Sequence, residues 1–573
     1  MLQTLTTPRG ETLSGTPWQV YPRPQMRRDS YINLNGEWDF AVSSGKPETF
    51  DMRITVPFCP ESRLSGIGRH FEEGAPLWYR RRFLLPEGFR RERVLLHIGA
   101  ADQIAEVFVN GQYLCRHEGG YASFCVDITE TLAEENELVI RCTDDLHDQA
   151  FPYGKQVMNR GGMWYTPVSG IWQTVWLESV PDIYIEKLGV ENHGASVTIS
   201  TVPPLEGTVS VEPLGQFPLE NGQVTIAPEN PHFWCPDDPY LYRFTVETAQ
   251  DKVESYFAIR SLEIKKVGEY PRLCLNGKPY FFHGLLDQGY WPEGLLTAPA
   301  PESYADDILA MKRLGFNTLR KHIKVEPEEF YYQCDRLGMI VWQDMVNNGS
   351  YNYFRDTVLP TIGIQKWNDR RLHLDERSRN TFRQGAADAV NQLKNHPCIC
   401  YWTIFNEGWG QFDSDRVCGW FRTLDATRFI DTTSGWFRGK NTDVDSRHQY
   451  FGKLRLTGDG LRPLVLSEFG GKTWRVEGHI FNPDKTYGYG ACPTREALNE
   501  AVAALYRESI VPAVEKGLCA AIYTQVSDVE DEVNGLATYD RRVVKLDADT
   551  MLPISRALQD AMEKTVASFE KMG

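Results

Sequence analysis

The C-terminal half of the chain alternates β-prone runs with helical segments, and this alternation restricts the possible folds more than any other feature. Apolar runs predict strands at residues 280–283, 316–320, 339–344, from 398 onward, 430–434, 444–450, 464–467 and 520–525. Stretches with apolar residues at helical spacing lie between them, most clearly at residues 375–395, where Phe382, Ala386 and Leu393 share one face. Eight strand-to-helix units in about 300 residues predict a (β/α)8 barrel.

The N-terminal part of the chain shows only short β-prone runs separated by turn sequences. Asn-Gly pairs at residues 35–36 and 110–111 favour hairpin turns, because both residue types tolerate a positive φ. Residues 1–181 are therefore predicted to form a β-sandwich. A second set of short strands predicts a small immunoglobulin-like sandwich at residues 182–265, and the barrel takes residues 266–573.

Two strand runs of the predicted barrel end in a glutamate. The sequence CICYWTIFNEGWG places Glu407 after the fourth strand, and PLVLSEFGG places Glu468 at the end of the seventh strand. A barrel of this type carries its active site at the carboxyl ends of its strands. Either glutamate alone is as consistent with a helix cap or a surface residue. The pair on one scaffold favours acid–base or nucleophilic chemistry on a bond between them.

Composition excludes several classes of function. The net charge of −16, without a basic tract, argues against nucleic acid or an anionic membrane surface as a partner. No stretch has the length of a membrane span, and the start of the chain lacks the continuous apolar segment of a secretory signal. The 12 cysteines are scattered without CxxC pairs. This pattern favours reduced thiols and a cytoplasmic location, and it offers no metal-ligand spacing.

Two irregular segments are rich in aromatic residues. Residues 151–176 lead into the last strand of the first sandwich and are as consistent with a packed loop as with substrate contact. Residues 345–373 follow the third barrel strand and are predicted to lie over the barrel mouth or to brace a subunit contact. The aromatic residues of this second segment include Tyr351, Tyr353, Phe354 and Trp367.

The order of the domains and several motifs resemble glycoside hydrolase family 2. The motifs are FNEGWG and LSEFGG around the two glutamates, SGIWQTVWLE at the end of the first sandwich, FNTLRKH and Asn395-His396-Pro397. The family includes β-galactosidases, β-glucuronidases and β-mannosidases, and the resemblance covers nearly the whole chain. It implies a jelly-roll first domain of the sugar-binding type, an immunoglobulin-like second domain and a catalytic barrel.

The resemblance implies a retaining β-glycosidase in which Glu407 is the general acid/base and Glu468 is the nucleophile. It also implies that Asn406 hydrogen-bonds the sugar 2-hydroxyl. In retaining enzymes the two carboxyl groups lie roughly 5–5.5 Å apart, one ionised and one protonated. Repulsion between like charges supports this division of roles. A carbohydrate or glycoside is the expected partner, a homo-oligomer is compatible with the resemblance, and no metal ion or other cofactor is expected.

Further site residues follow from the same resemblance. Tyr450 matches a tyrosine that contacts the nucleophile. Arg320 and His322 match a polar cluster that positions nucleophile and sugar, although the sequence is RKH where many members have Arg-x-x-His. The remaining candidates for sugar contacts are Asp287, Trp436, Trp474 and Tyr523. Asp287 is equally consistent with a loop cap and the tryptophans with core positions, whereas Tyr523 stands where the family commonly has a tryptophan platform.

The identity of the sugar depends on residues around the barrel mouth. Glu532 and Asn534 stand where β-glucuronidases carry an Asn-x-Lys pair for the uronate carboxylate, and a glutamate there would repel a uronate. A terminal β-galactoside is therefore the expected substrate. Lys321 and Lys324 still offer positive charge, so β-glucuronidase remains an alternative, together with β-mannosidase and arabinopyranosidase. A carbohydrate-binding protein with an inactive barrel is the non-enzyme alternative.

Overall fold

The computed structural model describes residues 2–362, 364, 368–454 and 456–570, so Trp367 lies outside the described residues. Short strands build the first domain. They are β1 (Tyr31–Asn33), β2 (Gly36–Val42), β3 (Met52–Val56), β4 (Leu77–Phe83), β5 (Arg93–Ile98), β6 (Ala101–Asp102), β7 (Ile104–Val109), β8 (Gln112–Glu118), β9 (Phe124–Asp127), β10 (Asn136–Thr143), β11 (Gly170–Ile171) and β12 (Val175–Val180). The larger sheet has the order β3-β2-β4-β10-β7-β8, and it faces a second sheet of order β1-β12-β5-β9.

A hydrophobic layer joins these two sheets. Trp38, Ile98 and Leu138 are fully buried between the sheets, and Trp38 alternates along β2 with the more exposed Glu37 and Asp39. Alternation of this kind is what a half-buried antiparallel strand requires. The predicted jelly-roll sandwich is confirmed.

The second domain is a smaller sandwich with its own core. Its strands are β13 (Lys187–Asn192), β14 (Val197–Val202), β15 (Gly207–Val211), β16 (Gly215–Leu219), β17 (Gln223–Ile226), β18 (Tyr242–Thr248) and β19 (Lys252–Phe257). They pair in the orders β13-β14-β17 and β16-β15-β18-β19, around a core that includes Ile199, Val246 and Phe257. This arrangement agrees with the predicted immunoglobulin-like fold.

A three-stranded sheet of β20 (Leu262–Val267), β21 (Tyr270–Leu275) and β22 (Lys278–Pro279) leads into the barrel. The barrel strands are β23 (Phe282–Asp287), β24 (Thr318–Lys321), β25 (Ile340–Asp344), β26 (Ile399–Asn406), β27 (Phe429–Ser434), β28 (Asp445–Gln449), β29 (Leu464–Gly470) and β30 (Leu518–Thr524). Their order is β27-β26-β25-β24-β23-β30-β29-β28, with parallel pairing throughout. All eight predicted barrel strands are present.

Hydroxyl groups link the two ends of this sheet. Ser434 at the end of β27 lies 3.3 Å from Ser446 in β28 and 3.0 Å from Ser467 in β29, measured between their Oγ atoms. These contacts bring β27 and β28 together, so the sheet forms a nearly closed barrel.

The α-helices of the chain are α1 (Pro8–Thr12), α2 (Glu302–Arg313), α3 (Glu328–Leu337), α4 (Leu359–Thr361), α5 (Glu376–Leu393), α6 (Ser414–Phe421), α7 (Arg495–Leu505), α8 (Val511–Val514) and α9 (Ala548–Glu570). Asp375 caps α5 by accepting hydrogen bonds from two backbone N–H groups, and Phe382, Ala386 and Leu393 are buried on one face as predicted. No described helix is long and apolar enough to cross a membrane.

The first domain reaches the barrel mouth through residues 149–156. The backbone N–H of Tyr153 donates to the carbonyl of Asn347 across 3.1 Å, and that of Gly349 donates to the carbonyl of Gln149 across 2.7 Å. The Tyr153 hydroxyl also donates to the Gly349 carbonyl at 2.8 Å. Hydrogen bonds therefore tie this loop of the sandwich to the segment that follows β25.

Candidate active site

The strand ends carry both glutamates to the barrel mouth. Glu407 directly follows β26 and adopts a left-handed backbone conformation with φ of 51°, fixed by a hydrogen bond from its N–H to the carbonyl of Ser434. Glu468 does not end its strand as expected, because β29 continues to Gly470. The register of β29 shifts between Leu466 and Phe469, and this irregularity contains Glu468.

His448, next to the end of β28, lies between the two carboxylates. Its Nδ1 atom is 2.8 Å from Glu407 Oε1 and 3.6 Å from Glu468 Oε2. One carboxylate oxygen of each glutamate and one imidazole nitrogen lie within 4.8 Å of one another. This spacing also fits three metal ligands, and the expectation of a site without a metal ion stays a prediction.

Positive charge surrounds Glu468. Arg320 Nη1 donates to Glu468 Oε1 across 3.0 Å, and the Tyr450 hydroxyl donates to Oε2 across 2.5 Å. Burial alone raises the pKa of Glu468, but the charges of His448 and Arg320 outweigh burial and lower that pKa to about 2. Glu468 is therefore ionised at neutral pH.

The pKa of Glu407 shifts in the opposite direction. Burial and the negative charge of Glu468 raise it, against the hydrogen bond with His448. The Glu407 side chain remains 12% exposed, so it keeps access to the opening of the barrel. A carboxyl group with a raised pKa and an ionised carboxylate thus face one space.

Arg320 organises the floor of this space. Its guanidinium donates to Asp344 Oδ1 at 2.9 Å and to Asn406 Oδ1 at 2.8 Å, in addition to Glu468. Asp344 also holds His322, with 2.6 Å between Oδ2 and the imidazole Nδ1. The Nδ2 atom of Asn406 is buried and has no hydrogen-bond partner among the described residues. It is therefore available to a ligand hydroxyl.

The other candidate residues divide into two groups. The Trp436 ring lies 5.5 Å from that of His448, at the carboxylate pair, and its Nε1 donates to the Asp356 carbonyl. Tyr523 is buried beneath Gly470, its hydroxyl accepting a hydrogen bond from the Lys472 backbone N–H at 3.0 Å. Trp474 packs against the barrel core, and Asp287 pairs with Lys321 at 2.6 Å. The structure therefore brings Asn406, Tyr450, Arg320 and Trp436 to the carboxylates, whereas Tyr523 and Trp474 pack into the wall.

The lysines that were expected to offer free positive charge are already paired. Lys321 and Lys324 both donate to Glu326 Oε1 at 2.9 Å, and Lys324 also donates to two backbone carbonyls. The negatively charged Glu532 is likewise engaged. It accepts hydrogen bonds from the Tyr165 hydroxyl at 2.6 Å and from Asn534 Nδ2 at 2.9 Å.

Models of one enzyme family match three consecutive parts of the chain. The model described as "Glycosyl hydrolases family 2, TIM barrel domain" matches residues 266–454, and "Glycosyl hydrolase 2 galactose-binding domain-like" matches residues 69–160. A third model, "Glycosyl hydrolases family 2", matches residues 183–260. Together they cover more than half of the chain. The chain belongs to glycosyl hydrolase family 2. The predicted family is confirmed.

The similar curated proteins are named for two of the sugar specificities that the sequence left open. A β-galactosidase of Thermoanaerobacter pseudethanolicus is 24% identical over 357 residues, which cover 57% of this chain and 44% of the relative. A β-glucuronidase of Chlorocebus aethiops is 26% identical over 562 residues, covering 79% and 80%. The chain spans about half the length of several of the curated relatives that it matches.

A solved structure extends the likeness to the whole fold. The structure of a β-glucuronidase from an uncultured Clostridium sp. has a TM-score of 0.70 at 18% identity, covering 96% of this chain and 100% of that chain. β-Glucuronidases are also frequent among the other similar proteins. At this identity the likeness supports the family 2 domain architecture alone.

Sequence reasoning missed several residues of this site, among them Asp344, His448 and Lys155. His448 precedes Tyr450 by two positions in the run RHQY, so an inward-facing strand position next to a recognised tyrosine was the available signal. Lys155 lies in the aromatic segment of the first domain, and its charge acts on Glu407 and His322. No local pattern marks it, because its place at the barrel mouth depends on how two domains meet.

Proposed function

We propose that this protein is a retaining exo-β-glycosidase that hydrolyses a terminal β-linked sugar by double displacement. The observation that carries the proposal is the pair Glu407 and Glu468, whose carboxylate oxygens lie within 4.8 Å and whose pKa values shift in opposite directions. In inverting glycosidases the two carboxyl groups lie roughly 6.5–9.5 Å apart, which leaves room for a water molecule. The shorter separation favours a covalent intermediate.

In the first step, the Glu468 carboxylate attacks the anomeric carbon while the bond to the leaving oxygen breaks. Glu407 gives its proton to that oxygen, so the aglycone leaves as a neutral alcohol. Tyr450 and Arg320 hold the two oxygens of Glu468, which fixes the attacking carboxylate in place. The free Nδ2 of Asn406 is suited to the sugar 2-hydroxyl, a contact that strengthens in the transition state.

In the second step, water replaces the aglycone. Glu407, now ionised, takes a proton from that water, whose oxygen attacks the anomeric carbon and displaces Glu468. The loss of negative charge on Glu468 in the intermediate lowers the pKa of Glu407, because the repulsion between the carboxylates disappears. The same residue therefore serves as acid first and base second.

For the sugar, the similar proteins support a β-glucuronide better than the β-galactoside expected from the sequence. β-Glucuronidases are the more frequent matches, including one with 79% of this chain covered. A β-galactoside is the second candidate, because the buried Glu532 stands where a uronate carboxylate would otherwise be bound. The galactosidase from Thermoanaerobacter pseudethanolicus supports this candidate too.

A panel of nitrophenyl β-glycosides tests the proposal. The wild type and a Glu477→Gln variant, which changes an exposed glutamate, are expected to release nitrophenol from at least one sugar. Glu468→Gln is expected to fold and to lose that activity, with a lower thermal midpoint because Arg320 keeps Asp344 but loses its second carboxylate partner. Proton NMR of the first product should show the β-anomer. Activity of Glu468→Gln at the wild-type level, or an α-anomer as first product, would overturn the proposal, and inactivity of the wild type on every sugar would favour a binding protein.

A further inference from the structure

Lys155 is a cation of the first domain that lies at the barrel mouth. Its side chain is nearly enclosed, with the residue only 7% exposed. The ammonium lies 5.5 Å from the centre of the Tyr165 ring and 5.9 Å from that of Trp409, which follows Glu407 by two residues. Two aromatic faces therefore flank the charge and attract it by cation–π interaction.

The charge of Lys155 acts within the catalytic site. Burial raises the pKa of Glu407, and Lys155 is one of the cations that oppose this rise. Burial also lowers the pKa of His322 to about 4, and Lys155 adds to that decrease against the effect of Asp344. The ammonium is thus close enough to both side chains for a direct electrostatic effect.

Lys155 differs from the neighbouring cations in having no counter-ion. Arg320 pairs with Asp344 and Glu468, while Lys321 and Lys324 share Glu326. Within the described part of the chain, no carboxylate lies within ion-pair distance of the Lys155 ammonium and no atom accepts a hydrogen bond from it. Two aromatic faces compensate only part of the charge of this enclosed side chain, so a negative group that enters the site would be bound strongly.

The backbone around Lys155 is held in place by both domains. Its carbonyl accepts a hydrogen bond from the Tyr165 N–H at 3.0 Å, and the Gln156 side chain accepts one from the Val168 N–H at 2.6 Å. Gly154 has φ of 64°, and a Cβ there would lie 3.2 Å from the carbonyl oxygen of Ile323 in the barrel. A side chain at this position would crowd the barrel backbone and strain the left-handed conformation, so glycine favours the close approach that brings Lys155 to the site.

We propose that Lys155 binds a carboxylate of the substrate, so that the jelly-roll domain supplies the specificity of this site for an acidic glycoside. The inference rests on the proposed glycosidase function and names its substrate class. A uronic acid at the non-reducing end carries such a carboxylate on the sugar, and an acidic aglycone carries it on the leaving group. The uronate is then held by a different element from the loop in which Glu532 stands, which removes the conflict posed by that glutamate.

Three substrates distinguish the position of the carboxylate: nitrophenyl β-glucuronide, nitrophenyl β-galactoside and 4-carboxyphenyl β-galactoside. Each is assayed with the wild type, with Lys155→Met and with Lys46→Met, which removes an exposed lysine of the same domain. Lys155→Met removes one partner of an enclosed charge pair. We therefore expect the ratio of two kcat/KM values, that for an acidic substrate divided by that for nitrophenyl galactoside, to fall by ~30-fold or more. If kcat/KM falls selectively for the glucuronide, Lys155 binds a carboxylate on the sugar. If kcat/KM falls selectively for the carboxyphenyl galactoside, Lys155 binds a carboxylate on the aglycone. Lys46→Met should leave the ratio unchanged.

Two results would overturn the inference. One is an equal loss of kcat/KM on all three substrates, together with a shift of the alkaline limb of the pH profile, since Lys155 would then act only on Glu407. The other is a wild type that cleaves neither acidic substrate better than the neutral galactoside.

Calorimetric titration separates this inference from the proposed function. Glucuronate should bind the wild type and Lys46→Met at least ~30-fold more tightly than it binds Lys155→Met. This measurement needs no turnover, so a wild type that binds glucuronate but cleaves no glycoside refutes the hydrolase and not the anion site. In the event that Lys155→Met does not fold, tighter binding of glucuronate than of galactose to the wild type supports the inference, and equal binding contradicts it.

Discussion

Nδ1 of His448 lies 2.8 Å from the carboxylate of Glu407, the group with the raised pKa. The same imidazole contributes more than any other neighbouring charge to the lowered pKa of Glu468. One side chain thus lowers the pKa of both carboxylates. Because the proposed reaction needs Glu468 ionised and Glu407 protonated, we expect His448 to set the pH range of activity.

Replacing His448 with Gln is expected to move the pH profile of kcat/KM to higher pH. Without the imidazole the pKa of Glu468 rises, so the acidic limb of the profile shifts to higher pH. The pKa of Glu407 also rises, so the alkaline limb shifts in the same direction. The profile is measured on the best nitrophenyl glycoside, with His193→Gln, which changes an exposed histidine of the second domain, as control. Limbs that stay in place or move in opposite directions would contradict this assignment.

Removing each carboxylate should have a distinct chemical signature in the presence of azide. In Glu468→Gly, azide takes the place of the nucleophile, so an activated β-glycoside should yield the α-glycosyl azide. In Glu407→Gly, azide attacks the covalent intermediate from the opposite face and should yield the β-glycosyl azide. Proton NMR of the products identifies the anomers. The reverse pattern would exchange the two roles.

Tyr450→Phe should weaken catalysis without abolishing it. The variant removes a 2.5 Å hydrogen bond to the Glu468 carboxylate, and bonds to charged groups of this kind predict a loss of roughly 10- to 100-fold in kcat/KM. The Tyr450 ring stacks on Tyr489 with centroids 3.9 Å apart, a contact that phenylalanine retains. A matched Tyr113→Phe change, at a half-exposed tyrosine of the first domain, should have no effect on kcat/KM. A fully active Tyr450→Phe enzyme would show that this hydroxyl is dispensable.

Stability in acid should depend on Glu178, a fully buried glutamate of β12. Burial raises its pKa, but Arg23, His97 and Arg28 outweigh burial and lower it far below the usual range. The stabilisation is complete above the unfolded pKa of about 4.3 and is lost as the pH falls below it. Glu178→Gln leaves Arg23 and Arg28 short of a partner, at a cost of about 3–5 kcal/mol at pH 7.

The difference in thermal midpoint between the wild type and Glu178→Gln should therefore be large at pH 7 and shrink toward pH 3. Differential scanning calorimetry at several pH values measures it. Glu37→Gln, whose glutamate side chain is 69% exposed, serves as the control with a small difference at every pH. A difference between wild type and Glu178→Gln that does not change with pH would show that Glu178 is not ionised in the folded protein.

The sequence predicted those features that depend on neighbouring residues. Buried strands leave continuous apolar runs, so the eight barrel strands and the position of Glu407 after β26 could be read directly. Glu468 was found by the same reasoning but placed at the strand end, because the register shift in β29 depends on its neighbour β30. The local sequence pattern predicts the strand, whereas its register depends on the neighbouring strand.

Features that depend on contacts between distant parts of the chain were predicted less accurately from the sequence. The sequence predicts Lys321 and Lys324 as free cations, but Glu326 accepts hydrogen bonds from both. Tyr523 looked like a sugar platform, but the absence of a side chain at Gly470 lets its ring pack beneath the strand. The sequence names the charged and aromatic groups, whereas their pairing follows from packing between elements far apart in the chain.

The hydrogen bonds between Tyr153 and the segment after β25 have a consequence for how this enzyme family can diversify. Both carboxylates belong to the barrel, whereas a loop of the first sandwich forms part of the wall around them. Under the proposed function, substitutions in that loop would change which glycosides are accepted without altering Glu407 or Glu468. Reaction and selectivity would then be encoded in separate domains.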